Sequence, residues 1–226
     1  IKFDIKAIGS RDGIDSLING SCDIAMSSME ISSDLIEQEK KEGVSLKPFL
    51  LGYDAIIPIV NPENPVSDIR YQQLLDIYKG TITNWSVLGG KDTAIDVIER
   101  SDASGTHFIW HKDIVPFRTT SGQFTTKESN SALNGYVADH SNAIGYTSVI
   151  FLNPELKALR IDGISVVEND SLLSQYHLKR QLLLYVNEDN MDGELRGFLT
   201  FLIFDEQGRK LLKEAGFFTN YAHGSL

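Results

Sequence analysis

Short apolar runs alternate with helix-type patterns along most of the chain. Residues 12–19 place apolar side chains on one face at helical spacing, whereas residues 23–26, Asp-Ile-Ala-Met, have the pattern of a short buried strand. The two patterns keep alternating through the sequence, without internal repeats or low-complexity segments. Because strands that alternate with helices favour a sheet covered by helices, the pattern predicts an α/β fold.

The limits of the elements follow from apolar periodicity and from residues that begin or end helices. Ser33 and Asp34 favour a helix start, and Gly43 favours a helix end. The apolar stripes of the helices are expected to face the core. The pattern predicts strands over residues 3–8, 23–26, 53–60, 94–98, 143–146 and 181–186, and helices over residues 12–19, 33–42, 71–78, 107–111, 131–139, 194–204 and 206–214.

Two long apolar strands, 53–60 and 181–186, indicate that the chain crosses twice between two lobes. The first is followed by Asn-Pro-Glu-Asn-Pro at residues 61–65, which neither a strand nor a helix interior tolerates. Ligands of two-lobe α/β folds bind in the cleft between the lobes, at the carboxyl ends of the strands. The prediction is a first lobe of residues 1–60 plus 184–226, a second lobe of residues 61–183, and lobe closure about residues 60–61 and 184–185.

Composition narrows the function classes. The chain has 226 residues, 42% of them hydrophobic, which is enough for one large domain or for two small lobes with cores of their own. The formal net charge of −10 argues against nucleic acid and against an anionic membrane surface as partners, but not against a small anion held by local donors. No apolar run reaches the roughly 18 residues of a membrane span, so direct membrane insertion is not expected. No signal peptide is visible, so we expect a cytosolic protein or one whose signal has been removed.

The turn that follows the predicted strand 94–98 carries the clearest chemistry. A helix begins there, and the first turn of a helix presents backbone N–H groups without intrahelical acceptors at its electropositive end. Arg100 adds a planar guanidinium. Ser104 and Thr106 add hydroxyl donors, and Gly105 allows a ligand to approach the backbone closely. Together these groups predict a site for a small tetrahedral oxyanion.

Two further strand ends carry hydroxyls. Ser10 follows the predicted strand 3–8, and Ser28 follows the predicted strand 23–26. Removing water from a phosphate dianion costs on the order of tens of kcal/mol unless donors surround it, so several such turns must converge on one anion. Taken singly, each serine also fits an ordinary helix cap or turn, and Arg100 also fits a surface ion pair.

The order of these motifs resembles the periplasmic phosphate-binding proteins of ABC phosphate uptake systems. A single Ser-Gly-Thr is a weak signal, whereas the whole set in this order is specific. The resemblance implies a two-lobe type II periplasmic binding protein fold with the ligand cleft between the lobes. The matching segments run almost end to end and comprise residues 8–10, 23–28, 52–55, 60–62, 75–85, 100–106 and 143–146.

The resemblance also assigns roles to individual residues. Ser10 would give its hydroxyl and amide to phosphate, Arg100 would pair with the phosphate oxygens, and Asp102 would hold Arg100 in place. The other phosphate-binding residues would be Ser28, Ser104, Gly105 and Thr106. The implied function is the capture of inorganic phosphate for an ABC permease, in the periplasm or at the cell surface, without a cofactor and without catalysis.

The chain departs from the family pattern at two places. Well-known members have an aspartate at the position of Ser28, where the carboxylate accepts the proton of phosphate and thereby rejects sulfate. The family also begins with a further strand and a hydroxyl-rich turn that would precede Ile1, so we expect the chain to be N-terminally incomplete. Alternatives therefore stay open: a binder of another oxyanion such as sulfate or molybdate, a phosphate-sensing or adhesion module of the same fold, and, more remotely, a hydrolase.

Histidines near the anion turn raise enzyme and metal alternatives. Ser104 and His107 are three residues apart across a helix start, which allows a serine–histidine contact, but the G-x-S-x-G and G-x-x-x-x-G-K-[ST] patterns are absent. His107 and His111 share a helix face, but they lack the glutamate of the H-E-x-x-H pattern. We therefore expect no catalysis and no metal site, and solvated or capping roles for the histidines.

Four other residues are weaker candidates. Arg11 either adds charge to the cleft or points into solvent. Ser129 and Asn130 begin a predicted helix and are candidates for facing the same cleft. Cys22, the single cysteine, is expected to be a small buried apolar side chain, because no base lies near it in the sequence.

Overall fold

The structure is a computed structural model that describes residues 2–6, 8–101, 104–114 and 124–219. Its described helices are α1 (Ser10–Ile18), α2 (Ser33–Glu42), α3 (Tyr71–Tyr78), α4 (Gly105–Ile114), α5 (Asn130–Asp139), α6 (Gly193–Phe204) and α7 (Glu206–Glu214). Its described strands are β1 (Ile24–Ser27), β2 (Leu46–Val60), β3 (Asp68–Ile69), β4 (Asp96–Arg100), β5 (Thr125–Lys127), β6 (Ala143–Ser148), β7 (Lys157–Ala158), β8 (Arg160–Ile161) and β9 (Lys179–Asn187). The mixed α/β class predicted from the sequence is confirmed.

The chain divides into two compact units. Unit 1 consists of Ile1–Asp54 and Arg180–Leu226, and unit 2 consists of Ala55–Lys179. The sequence places its lobe boundaries a few residues further along, at residues 60–61 and 183–184, and that lobe assignment stays a prediction. None of the helices in the described part of the chain combines the length and the apolar composition needed to cross a bilayer.

Unit 1 is built on the antiparallel pair of β1 and β9, in which Ile24 lies opposite Val186. Because successive side chains of a strand point to opposite faces, β9 contributes to two separate apolar groups. Leu183 belongs to the group that packs with α1 and α2. Leu182 and Leu184 belong to the group that packs with α6 and α7. The sheet is therefore covered by helices on both faces.

Unit 2 contains a sheet in the order β2-β6-β4-β5, with β7 paired to β2. β2 and β6 run antiparallel, whereas β4 runs parallel to both β6 and β5. Arg100, the last residue of β4, lies opposite Lys127, the last residue of β5. Since α4 follows β4 and α5 follows β5, both helices begin at the same edge of this sheet.

Several helix limits agree closely with the sequence. Gly43 ends α2 in the left-handed conformation, with φ of 68°, as glycine allows at a helix C-terminus. The prediction of a helix over residues 71–78 matches α3, and Leu74 of its apolar face is buried. The sequence predicts an apolar face of Leu74, Leu75 and Tyr78, but in the structure Ile77 is buried and Leu75 is only half-buried.

The predicted strand over residues 3–8 is wrong. The described residues of this segment, 3–6 and 8, form neither strand nor helix. Phe3 is 53% exposed and Ile5 is 83% exposed, so the alternating pattern buries no face of a sheet. The ring of Phe3 instead lies 5.0 Å from the ring of Phe198 in α6. An alternating sequence forms a stable strand only where a partner strand and an apolar surface are available.

The strand predicted over residues 53–60 is longer than the sequence indicates. β2 begins at Leu46, although Lys47, Pro48 and Gly52 interrupt the apolar pattern there. Gly52 has a structural reason, because a Cβ at this position would lie 2.8 Å from the carbonyl oxygen of Phe218.

Candidate functional site

Arg100 is held at the edge of the unit 2 sheet by the start of α5. Its Nη1 donates a hydrogen bond to Asn130 Oδ1, and its Nη2 donates to the carbonyl oxygen of Glu128 at 3.1 Å. Its backbone N–H donates to Tyr146 Oη at 3.1 Å. The guanidinium is thus oriented by neutral acceptors, so its positive charge is not cancelled by these contacts. Among the described residues, Arg100 makes no ion pair with Glu99, whose Oε1 lies 3.3 Å from His111 Nε2.

The Nε of Arg100 is a donor that these acceptors do not use. Within the part of the chain that the structure describes, its Nε is buried and has no hydrogen-bond partner. Burial lowers the pKa of Arg100 from its ordinary value, but a guanidinium remains charged at neutral pH. A buried donor without an acceptor is costly, so this atom is suited to receive an anion. Asp102, which the resemblance assigns to hold Arg100, lies outside the described residues.

Ser104 begins α4 as a helix cap. Its hydroxyl oxygen accepts the backbone N–H of His107 at 3.3 Å, and its carbonyl oxygen accepts that of Phe108 at 3.0 Å. Ser104 and Thr106 are buried, and Gly105 between them is half-buried. The first turn of α4 therefore combines helix-end N–H groups, two hydroxyls and a residue without a side chain, as the sequence predicts for an anion site.

A second group of the predicted residues lies in unit 1. Ser10 is the first residue of α1 and follows Gly9, whose φ of 96° favours glycine. The backbone N–H of Ser28 donates to Ser10 Oγ at 3.2 Å, and the two hydroxyl oxygens lie 3.5 Å apart. The structure thus brings together the two serines, Ser10 and Ser28, that the sequence singled out.

Arg180 is a charged neighbour of these serines that the sequence analysis missed. Its Nη1 lies 3.5 Å from Ser28 Oγ. Its Nε and Nη2 donate to Asp54 Oδ2 at 2.8 and 2.7 Å, and Asp54 is fully buried. No local pattern could have connected Arg180 with Ser28, because 152 residues separate them. The only sequence signal was a basic residue at the start of the apolar run 181–186.

Of the four weaker candidates from the sequence, only Asn130 contacts Arg100. Asn130 contacts Arg100, as described above, whereas Ser129 Oγ caps α5 by accepting the backbone N–H of Ala132 at 3.0 Å. Arg11 is exposed and pairs with Asp34, which agrees with the alternative that it points towards solvent. Cys22 is half-buried, and burial raises the pKa of its thiol, so it is a poor nucleophile at neutral pH.

His107 contacts Ser104 through its backbone. Ser104 Oγ receives the backbone N–H of His107, whereas the ring Nδ1 of His107 lies 3.2 Å from Tyr146 Oη. A nucleophilic serine requires a ring nitrogen as its base. The expectation of a solvated side chain is also wrong for His107, which is buried, while His111 is partly buried.

Comparisons with known proteins agree on one family. A profile of the PBP superfamily domain matches residues 1–206. The phosphate-binding protein PstS of Bacillus subtilis is 27% identical over 217 residues, which cover 94% of this chain and 69% of that protein. The PstS protein of Borreliella burgdorferi is 29% identical over 228 residues, which cover 96% of this chain and 79% of that protein.

Solved structures give the same answer. A candidate phosphate ABC transporter substrate-binding protein with bound phosphate, from Clostridium perfringens, superposes with a TM-score of 0.79 at 30% identity, over 93% of this chain and 84% of that one. An ABC-type phosphate transport receptor from Vibrio cholerae superposes with a TM-score of 0.76 at 29% identity, over 95% of this chain and 87% of that one. All four of these proteins are named as binding proteins or receptors rather than as enzymes.

Proposed function

The chain belongs to the PBP superfamily and has the type II periplasmic binding protein fold, and from this premise we propose that it captures inorganic phosphate and delivers it to an ABC permease. The observation that carries the proposal is the turn between β4 and α4 in unit 2, which presents donors for an anion. There, the buried Nε of Arg100 has no hydrogen-bond partner among the described residues, and α4 begins a few residues later.

In this proposal Arg100 supplies the charge of the unit 2 half of the site. A guanidinium presents several N–H donors in one plane, which suits two oxygens of a phosphate. Asn130 acts as a positioning residue, because its side-chain oxygen fixes the orientation of the guanidinium. Ser104, Gly105 and Thr106 contribute donors from the first turn of α4, where the helix dipole also favours an anion.

Ser10, Ser28 and Arg180 form the unit 1 half of the proposed site. The two hydroxyls lie 3.5 Å apart and can both donate to a single oxyanion. Arg180 lies beside Ser28 and is held by Asp54, so its charge is fixed in place. Asp54 partly offsets that charge, which makes Arg100 the stronger anion-binding cation of the two. That both halves bind one anion between two lobes stays a prediction.

Ser28 supports a second candidate, a binder of several oxyanions. A hydroxyl can donate to any oxyanion, whereas a carboxylate requires a proton on the ligand. At neutral pH phosphate carries such a proton and sulfate does not. Because Ser28 is neutral and Arg180 beside it carries only donors, we expect weaker discrimination against sulfate than an aspartate at position 28 would give.

The proposed setting follows from the same kinship. A solute-binding protein of an ABC phosphate system acts outside the cytoplasm, in the periplasm or at the cell surface, and its membrane partner is the permease. The net charge of −10 disfavours nucleic acid as a partner. We therefore expect no catalytic turnover, and binding and release of the anion as the whole chemical cycle.

Titration calorimetry of the purified protein with phosphate, sulfate and molybdate tests the proposal. Saturable heat with phosphate supports it, tighter binding of sulfate or molybdate supports the second candidate, and no heat with any of the three rejects both. Ser28→Asp should strengthen the preference for phosphate over sulfate. Ser21→Asp introduces the same charge at an exposed position and should leave the preference unchanged.

A further inference from the structure

Glu99, His107 and His111 form a compact cluster inside unit 2. Glu99 is the next-to-last residue of β4, and the two histidines are four residues apart on α4, so they lie on one face of that helix. Each residue offers one ligand atom, and these three atoms all lie within 4.8 Å of one another. The sequence showed only the histidine pair, because the third group comes from a neighbouring strand.

The cluster is buried, and two of its atoms lack ordinary hydrogen bonds. Glu99 is 1% exposed and His107 is 6% exposed. Glu99 Oε1 lies 3.3 Å from His111 Nε2, yet neither atom makes a hydrogen bond of good geometry to any described residue. A buried carboxylate oxygen and a buried imidazole nitrogen without such bonds cost free energy unless a further group binds them.

The separation of these atoms suits a shared metal ion better than a direct hydrogen bond. A good N–H···O bond has a heavy-atom distance of about 2.9–3.0 Å. A tetrahedral zinc ion, with bonds of about 2.0–2.1 Å to nitrogen and oxygen, places neighbouring ligand atoms about 3.3 Å apart. The distance of 3.3 Å between Glu99 Oε1 and His111 Nε2 equals that edge.

The surroundings of the histidines fit the same interpretation. Tyr146 Oη lies 3.2 Å from Nδ1 of His107, the kind of outer contact that orients the ring of a metal-binding histidine. The ring centroids of His107 and His111 are 3.9 Å apart. A metal ion between the two rings would bind both imidazoles in their neutral form.

We propose that Glu99, His107 and His111 bind one divalent transition-metal ion of the zinc class. Two imidazole nitrogens and one carboxylate oxygen are ligands that such ions prefer, and three protein ligands leave a fourth position for water or another small ligand. Ca²⁺ and Mg²⁺ require more oxygen ligands than this cluster offers. The side chain of His111 is 17% exposed and provides the edge from which the ion enters. The proposal does not rest on phosphate binding.

Metal titration of the chelator-treated protein tests the proposal. Zn²⁺ and Co²⁺ should bind with a stoichiometry of one by calorimetry, and bound Co²⁺ should show the intense visible absorption of a four-coordinate site. Zn²⁺ should also raise the midpoint of thermal unfolding, because an ion that binds the folded state stabilises it. If neither Zn²⁺ nor Co²⁺ binds, the proposal is overturned.

Matched variants locate the ion. His111→Gln and Glu99→Gln should each weaken Zn²⁺ binding by at least about 100-fold, whereas His140→Gln and His177→Gln change exposed histidines of the same unit and should not. Glu99→Gln alters a buried group, so circular dichroism must show that this variant folds. If the Glu99→Gln variant does not fold, the Zn²⁺ affinity of His111→Gln alone tests the proposal. Uptake that survives His111→Gln, or that is lost on His140→Gln, would show that the ion binds elsewhere.

Discussion

Arg180 and Asp54 form a buried ion pair, with Arg180 Nη2 2.7 Å from Asp54 Oδ2. Asp54 ends the first chain segment of unit 1, and Arg180 begins the second. The pair therefore connects the two chain segments of unit 1 through residues that are 126 positions apart in the sequence. It also places a fixed cation beside Ser28, in the unit 1 half of the proposed anion site.

Removing the cation of this pair should destabilise the protein strongly. Arg180→Met leaves the fully buried carboxylate of Asp54 without its guanidinium, which typically costs about 3–5 kcal/mol. Urea unfolding measures the change. Arg160→Met is the matched control, because Arg160 pairs with Glu168 at an exposed position and should leave the unfolding midpoint nearly unchanged. Equal midpoints for the two variants would contradict the role of the pair.

Phosphate binding should depend on Arg100 more than on any other arginine. Arg100→Ala should abolish the calorimetric signal, because it removes the cation of the unit 2 half. Asn130→Ala should weaken binding by about tenfold, since it removes one hydrogen bond that orients the charged group. Arg11→Ala removes an exposed arginine that pairs with Asp34 and should leave the affinity unchanged. An unchanged affinity in Arg100→Ala would remove this residue from the site.

Two glycines of the C-terminal helices should respond oppositely to alanine. At Gly208 in α7, a Cβ would lie 1.9 Å from the carbonyl oxygen of Phe201 in α6, so Gly208→Ala should lower the free energy of unfolding by about 1–3 kcal/mol. At Gly197 in α6, a Cβ would meet no atom within 4 Å, so Gly197→Ala should raise it by about 0.5–1 kcal/mol. Denaturant unfolding of both variants checks the signs. A stable Gly208→Ala protein would mean that α6 and α7 do not approach so closely.

Stability at acidic pH should depend on Asp34. The hydroxyl of Ser32 and the guanidinium of Arg11 lower the pKa of Asp34 to about 2, below its usual value of 3.8. Because the unfolded chain binds this proton at higher pH than the folded chain, the contribution of Asp34 is fully present above about pH 4 and is lost as the pH falls towards 2. Titration of the Asp34 carboxyl carbon by NMR measures the pKa directly. Arg11→Ala and Ser32→Ala should each raise it, and a wild-type value near 4 would refute the assignment.

Local signals in the sequence were sufficient for most helices of the fold. Gly43 ends α2 through contacts with near neighbours in the chain, which is why the sequence predicts the end of this helix. The strand predicted over residues 3–8 is wrong for the opposite reason. Phe3 and Ile5 alternate as in a strand, but a strand also needs a partner, and the sequence does not show whether one is present.

The residues of the candidate site likewise fall into those that local sequence patterns predict and those that they do not. Ser104 and Thr106 were found because a helix start is a local feature, and Ser10 and Ser28 because each follows a predicted strand. Arg180 and Glu99 were missed, since each acquires its significance from a residue on a different element. Long-range pairs of this kind depend on strand order and register, and neither can be read from one sequence without a known relative.

The uninterrupted strand β2 has a consequence for biosynthesis. It runs from Leu46 to Val60 and passes from unit 1 into unit 2 without a break. Unit 2 is one continuous stretch, so the ribosome delivers all of it before the second segment of unit 1. β1 pairs with β9, which is made more than 150 residues after Ile24. The first 54 residues therefore cannot complete their fold until the segment that contains Arg180 and β9 has been synthesised. A nascent chain halted before that point exposes apolar surfaces of α1 and α2, which chaperones would have to protect.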